Sequence, residues 1–136
     1  MMQNYSWKIV KNESDSRFGI IVESSDPDSI WQFFFTGIDK GNYPKMVLTV
    51  IQEIGFCSNG VGVLFSSDLD PGDKVFPNNM VEVFHNDFGS NVIKKKDFYF
   101  ALFDFATKLL EMESSDFKWK EDLAKAVFKL KKKWIE

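Results

Sequence analysis

The stretch MVEVFHNDFGSNVIKKKDFYFALFDFATKLL, residues 80–110, changes its period part-way along, and that change decides the fold. MVEVFH alternates as a strand does, NDFGSN has turn composition, and VIKK reads as a further strand, so the first half is a piece of antiparallel meander. From Lys96 onward the spacing lengthens. Phe98, Leu102, Phe105, Ala106, Leu109 and Leu110 recur at helical intervals, which predicts an amphipathic helix laid over one sheet face.

Upstream, GVGVLFS is a probable strand by composition, and GNYPKMVLTVIQEIGF reads as a helix. In that helix Asn42 is placed to cap, Pro44 lies in the first turn, Met46, Val47, Val50, Ile51 and Ile54 form a stripe, and Gly55 closes the end in a left-handed conformation. SSDPDSIWQFFFTGI repeats the pattern, with Ser25 or Asp26 as the cap, Pro27 at the first helical position and Ile30, Trp31, Phe34 and Phe35 on one face. YSWKIVK and FGIIVE have the content of two short strands able to form a hairpin. Downstream, Ser114, Ser115 or Asp116 opens a last helix whose stripe is Leu123, Val127, Leu130 and Trp134, and whose final lysines meet the negative end of the helix dipole. The expectation is therefore a single α+β domain over residues 1–136, a twisted antiparallel sheet packed against helices at 27–36, 44–54, 97–112 and 116–135.

Composition agrees with one globular domain. A chain of 136 residues buries roughly two-thirds of its unfolded surface. Fifteen phenylalanines and four tryptophans predict a core built largely from rings. One cysteine, Cys57, forms no internal disulfide, and one histidine, His85, has no second imidazole with which to share a metal. With no leader-like start and no apolar run near the ~20 residues of a membrane span, a soluble cytoplasmic protein is expected. Charge is unevenly placed: residues 1–116 carry ten basic against seventeen acidic side chains, and residues 117–136 carry seven against three. An acidic body disfavours nucleic acid and draws cationic partners.

The acid gathers in FSSDLDPGDKVFP, residues 65–77, and three chemistries compete for it. A calcium loop started at Asp68 fails, because Gly72 stands at position five, Asp73 at the glycine position and Asn79 in place of the closing glutamate. General acid and base roles require burial to separate the two pKa values, and a Pro/Gly turn flanked by serines favours ordinary ionisation. Outside the loop, Cys57 with His85 is the one nucleophile and base couple, and nothing in the spacing brings them together. Phosphate-binding glycine motifs are missing, and KLKKKW reads as a solvated helical face before it reads as an RNA contact. No cofactor, metal or catalytic residue is expected.

PKMVLTVIQEIGFCSNGVGVLF, the acidic loop, and then MVEVFHNDFGSNVIKKKDFYFALFDFATKLLE together resemble immunity proteins of contact-dependent growth inhibition systems, in particular those paired with ribonuclease toxins. The shared order is an apolar helix, a G-F-x-x-x-G-V turn into a strand, an acidic loop, a V-x-V-F strand, a polar turn, a further strand and an aromatic-rich helix, over roughly residues 44–112. The resemblance implies a cytoplasmic antitoxin that binds the C-terminal domain of an imported toxin and occludes its active site without catalysis. Such a toxin must be cationic to hold RNA, so carboxylates displayed where phosphate would sit suit an inhibitor. The candidate toxin contacts are Asp68, Asp70, Asp73, Glu82, His85 and Asp87. The alternative is a non-catalytic adaptor that recognises some other basic partner.

Overall fold

A computed structural model describes residues 7–11, 20–24, 30–111 and 116–136. Strands β1 (Trp7–Lys11) and β2 (Ile20–Ser24) pair antiparallel, with Ile9 opposite Val22, and form a two-stranded sheet of their own. The expected hairpin is thus present but stands apart from the main sheet. That sheet is a four-stranded antiparallel meander, β3 (Phe56–Ser58), β4 (Val61–Phe65), β5 (Met80–His85) and β6 (Gly89–Lys94), paired in chain order. Helices α1 (Ile30–Thr36), α2 (Tyr43–Ile51), α3 (Lys95–Leu110) and α4 (Phe117–Leu130) complete the domain. Among the described residues no helix is long and apolar enough to cross a membrane.

The alternation of β4 and β5 divides the sheet into two faces. Val61, Val63, Phe65, Val81 and Val83 point inward and are buried, while Leu64, Met80, Glu82 and Phe84 point outward and are partly exposed. The inner face meets Phe34, Phe35, Phe98, Leu102, Phe105 and Leu109 in one core. Phe105 is its centre, stacked on Phe35 at 4.1 Å between ring centroids and tilted against Tyr43 at 5.3 Å. Ring on ring packing of this kind adds to the area term, so the helices are fixed by aromatic geometry as well as by burial.

Several boundaries differ from the sequence expectation, each for a local reason. The second helix ends at Ile51, three residues before Ile54. Glu53, not Gly55, takes the left-handed conformation with φ 59°. Ile54 is consequently half exposed. Gly55 serves another purpose: a Cβ there would lie 2.8 Å from Asp68 Oδ2 and 2.9 Å from the Val63 carbonyl, so the bare backbone lets the acidic loop close down. Asn42 occupies the capping position of α2 without a side-chain capping bond, being the last residue of a 3₁₀ turn over Lys40–Asn42.

Strand β3 was absent from the expected elements. It is joined to β4 through Asn59 and Gly60, whose φ values of 55° and 76° match the two-residue turn that Asn-Gly favours. Asp116 caps α4 by accepting a hydrogen bond from the Trp119 N–H at 3.0 Å, which settles the choice of cap for that helix. The chain then leaves α4 in a π-helical turn over Lys131–Ile135. The proposed caps Ser25 and Asp26, with Pro27, lie outside the described residues.

Truncating Phe105 removes a ring that is 0% exposed and touches two helices. Phe105→Ala is expected to cost about 3–5 kcal/mol. Urea unfolding followed by far-UV circular dichroism checks this, and a midpoint equal to the parent's would contradict the packing described.

Candidate functional site

The acidic loop between β4 and β5 is held by its own carboxylates. Asp68 closes a 3₁₀ turn over Ser66–Asp68, and its Oδ2 accepts the Phe65 N–H at 2.7 Å. Asp73 Oδ2 accepts the Asp70 N–H at 2.8 Å, while the Asp73 N–H donates back to the Asp70 carbonyl at 3.1 Å. Ser66 Oγ donates to Asn78 Oδ1 at 2.8 Å and ties the two ends of the loop together. Two of the three loop aspartates therefore satisfy backbone donors, Asp68 at the end of β4 and Asp73 across the Pro71–Gly72 bend. Asp70 is exposed, and its carboxylate takes no partner among the described residues.

The remaining candidates sit along and beyond β5. Glu82 lies mid-strand on the outer face, paired in register with Leu64 of β4 and Val92 of β6. His85 ends the strand on the inner side. Its ring lies 4.8 Å from Phe88 and 6.2 Å from Phe33, and its Nδ1 accepts the Asp87 N–H at 3.1 Å. That bond puts the proton of the neutral imidazole on Nε2. Asp87 is exposed in the β5–β6 turn. The six candidates consequently do not form one cluster, since the acidic loop and the His85–Asp87 turn are separated by the length of β5, about 17 Å.

The Cys57 and His85 couple is not brought together. Cys57 pairs with Gly62, which pairs with Phe84, whereas His85 pairs with Val61 in the adjacent row. Neighbouring rows of a pleated sheet point to opposite faces, so the thiol is presented outward and the imidazole inward, with β4 between them. Among the described residues no three of His, Cys, Asp and Glu gather closely enough to hold a metal ion.

Two open hollows are rich in lysine, and another, of about 360 Å³, lies at the base of the acidic loop between Glu53, Phe65, Ser66, Ser67, Asn78 and Lys95. A groove of about 670 Å³ runs between α2 and α4 over Pro44, Leu48 and Trp119, rimmed by Lys45, Lys118, Lys125 and Lys129. A second, of about 560 Å³, lies where Asn78 and Asn79 face Lys94–Lys96 and Trp134. Both are open troughs.

Ion pairing sorts the acids. Glu53 pairs with Lys95, Asp104 with Lys108, Asp122 with Lys118, Glu121 with Lys125 and Glu136 with Lys132, all on helices or at their ends. Among the described residues Asp70, Glu82 and Asp87 have no such partner. Carboxylates without an ion pair among the described residues thus include Asp70, Glu82 and Asp87 on the loop, the outer sheet face and the β5–β6 turn, and also Asp39 before the Lys40–Asn42 turn and Glu111 at the end of α3. Sequence reasoning named the first three but missed the apolar side chains around Glu82. The signal for them was present in the alternation of MVEVFH, which places Met80 and Phe84 on the same side as Glu82. No family model, curated protein or solved structure matches the chain, so its chemistry is argued from this geometry.

The two kinds of loop aspartate separate by stability. Asp68→Ala removes a charge-assisted bond to a strand-end amide and should cost about 1.5–3 kcal/mol. Asp70→Asn should stay within about 0.5 kcal/mol of the parent. Paired denaturant titrations measure both, and equal effects would contradict the assignment.

Proposed function

We propose that the chain is a cytoplasmic immunity protein that binds a basic ribonuclease toxin domain and blocks access to its RNA site. The observation that carries this reading is the set of carboxylates on the β4–β5 loop, the outer sheet face and the β5–β6 turn, Asp70, Glu82 and Asp87, which have no ion-pair partner among the described residues, whereas Glu53, Asp104, Glu121, Asp122 and Glu136 on the helical side pair with lysines. A ribonuclease gathers cations to hold phosphates, and carboxylates without a cation of their own steer the encounter with such a surface, with charge-assisted hydrogen bonds available where one is covered on contact. The opposed orientation of Cys57 and His85 also favours a binding role over thiol chemistry. Order of elements adds a second support: apolar helix, turn, strand, acidic loop, strand, turn, strand and aromatic helix follow one another as in the immunity proteins the sequence resembles.

The experiment is to purify the domain encoded directly upstream, measure its cleavage of RNA, and add this protein at equimolar concentration. Cleavage should stop. Asp70→Asn with Asp87→Asn should slow association roughly two- to tenfold at low salt and flatten its dependence on ionic strength, as expected for carboxylates that act by long-range steering. Undiminished cleavage at saturating protein would refute the reading.

A further inference from the structure

The outer face of the four-stranded sheet carries a feature that the steering carboxylates do not explain. Glu82 stands at its centre and is only partly exposed. Leu64 and Val92 flank it directly across the two neighbouring strands, and Met80 and Phe84 flank it two residues away along its own strand. Directly opposed side chains in such a sheet are about 5 Å apart, so the carboxylate emerges from a ring of four apolar groups. The described helical residues of the core pack with the inward side chains of the sheet, none of these five is among the buried core, and Val92 is 41% exposed. Lys94, diagonal to Glu82 through its pairing with Met80, forms no ion pair with it.

A carboxylate within an apolar ring is poorly placed for a lone solvent-facing role. The surrounding methyl groups and ring thin its hydration, and an arriving cation would lose little competing water while gaining a charge-assisted bond in a drying contact. The chemistry favours guanidinium over ammonium. Guanidinium is more weakly hydrated, its planar fork matches both carboxylate oxygens, and its face can stack on a neighbouring aromatic ring. Phe84 supplies that ring and is pre-positioned: it lies over Gly62, where an added Cβ would come within 2.7 Å of Phe84 Cζ.

We infer that Glu82, with Leu64, Met80, Phe84 and Val92 around it, is the anchoring pocket for one arginine of the partner, set among apolar partner side chains. The inference rests on the reading of the chain as a binder of a cationic protein and names the surface and the residue type that make the contact. Glu82 and the outlying carboxylates then have different kinetic roles. Asp70 and Asp87 lie at opposite ends of β5 and act before contact, on the association rate. Glu82 is covered on contact and acts on the dissociation rate.

The test uses the upstream-encoded domain as probe, immobilised, with the 136-residue protein and its variants flowed over it. Glu82→Gln keeps the side-chain shape and should raise the dissociation rate roughly 10- to 100-fold with an unchanged association rate, and Glu82→Lys should abolish binding. Melting temperatures equal to the parent's show that neither variant acts through the fold. A control with Lys125→Gln and Lys129→Gln, on the α2–α4 groove, should bind as the parent does. If the parent binds and Glu82→Gln dissociates at the parent's rate, the anchoring pocket is wrong and the binder reading stands. If the lysine control loses binding while Glu82→Gln does not, the interface is the groove and the inference falls. If the parent does not bind the domain at all, the binder reading itself fails, and the pocket with it.

Discussion

Rings with polar tips must find partners when they are buried, and in this protein those partners are backbone carbonyls at the ends of helices. The Tyr99 hydroxyl donates to the Val50 carbonyl and Trp134 Nε1 to the Ile51 carbonyl at 3.0 Å, so the last two residues of α2 are held by side chains from α3 and from the chain's end. Trp119 Nε1 donates to the Lys40 carbonyl at 2.8 Å, and the Tyr43 hydroxyl to the Phe35 carbonyl. Carbonyls in the final turn of a helix have no intrahelical donor, and leaving one buried and open costs about 1–3 kcal/mol. The Val50 and Lys40 carbonyls also accept a backbone N–H, from Glu53 and Tyr43, so there the ring adds a second bond; in every case the contact fixes which element lies beside which. Burial, and to a lesser degree the Glu53 carboxylate, hold the Tyr99 phenol well above its ordinary pKa, so it remains a donor wherever the fold persists. Trp134 stacks on Tyr99 at 4.3 Å, which closes the clamp and brings the lysine-rich end back against the domain.

That clamp has an electrostatic consequence. With α4 and its π turn docked on α2 and α3, the basic end of the sequence is spread over the helical side. Its acids there are taken up by i, i+4 lysine pairs, which as solvent-screened surface pairs add little to stability. Their larger effect is on the field, because they leave the helical side balanced or basic while the sheet side keeps free carboxylates. Among the described residues, charge is thus divided between a sheet side with free carboxylates and a helical side that is balanced or basic. The proposed role as an inhibitor of a cationic enzyme draws on that division more than on any single residue.

Much of the architecture was legible because packing in this fold follows period. Phe98, Leu102, Phe105 and Leu109 are buried as their spacing requires, and the strands at 61–65 and 80–85 follow their alternation. Strand β3 was not legible from periodicity, since three residues, FCS, are too few to show one; the Asn59–Gly60 pair was the better guide. Gly55 was read as a helix terminator because the sequence cannot distinguish a glycine needed for its φ from one needed for the space under Asp68. Asp68 and Asp73 were read as surface acid for a related reason. Aspartate in a Pro/Gly turn serves equally to cap backbone amides and to meet a partner, and only the hydrogen bonds separate those roles. The contacts of Trp119 and Trp134 span 79 and 83 residues of chain, beyond any local pattern.

The central claim is that the free carboxylates of the sheet side, and not the lysine-lined troughs of the helical side, meet the partner. A crystal structure of the protein bound to the upstream-encoded domain tests it most directly. The account predicts an interface centred on β4–β6, with Asp70, Glu82 and Asp87 facing arginine or lysine side chains of the domain's RNA-binding cleft. An interface built over Lys45, Lys125 and Lys129, with those three carboxylates left in water, would contradict it.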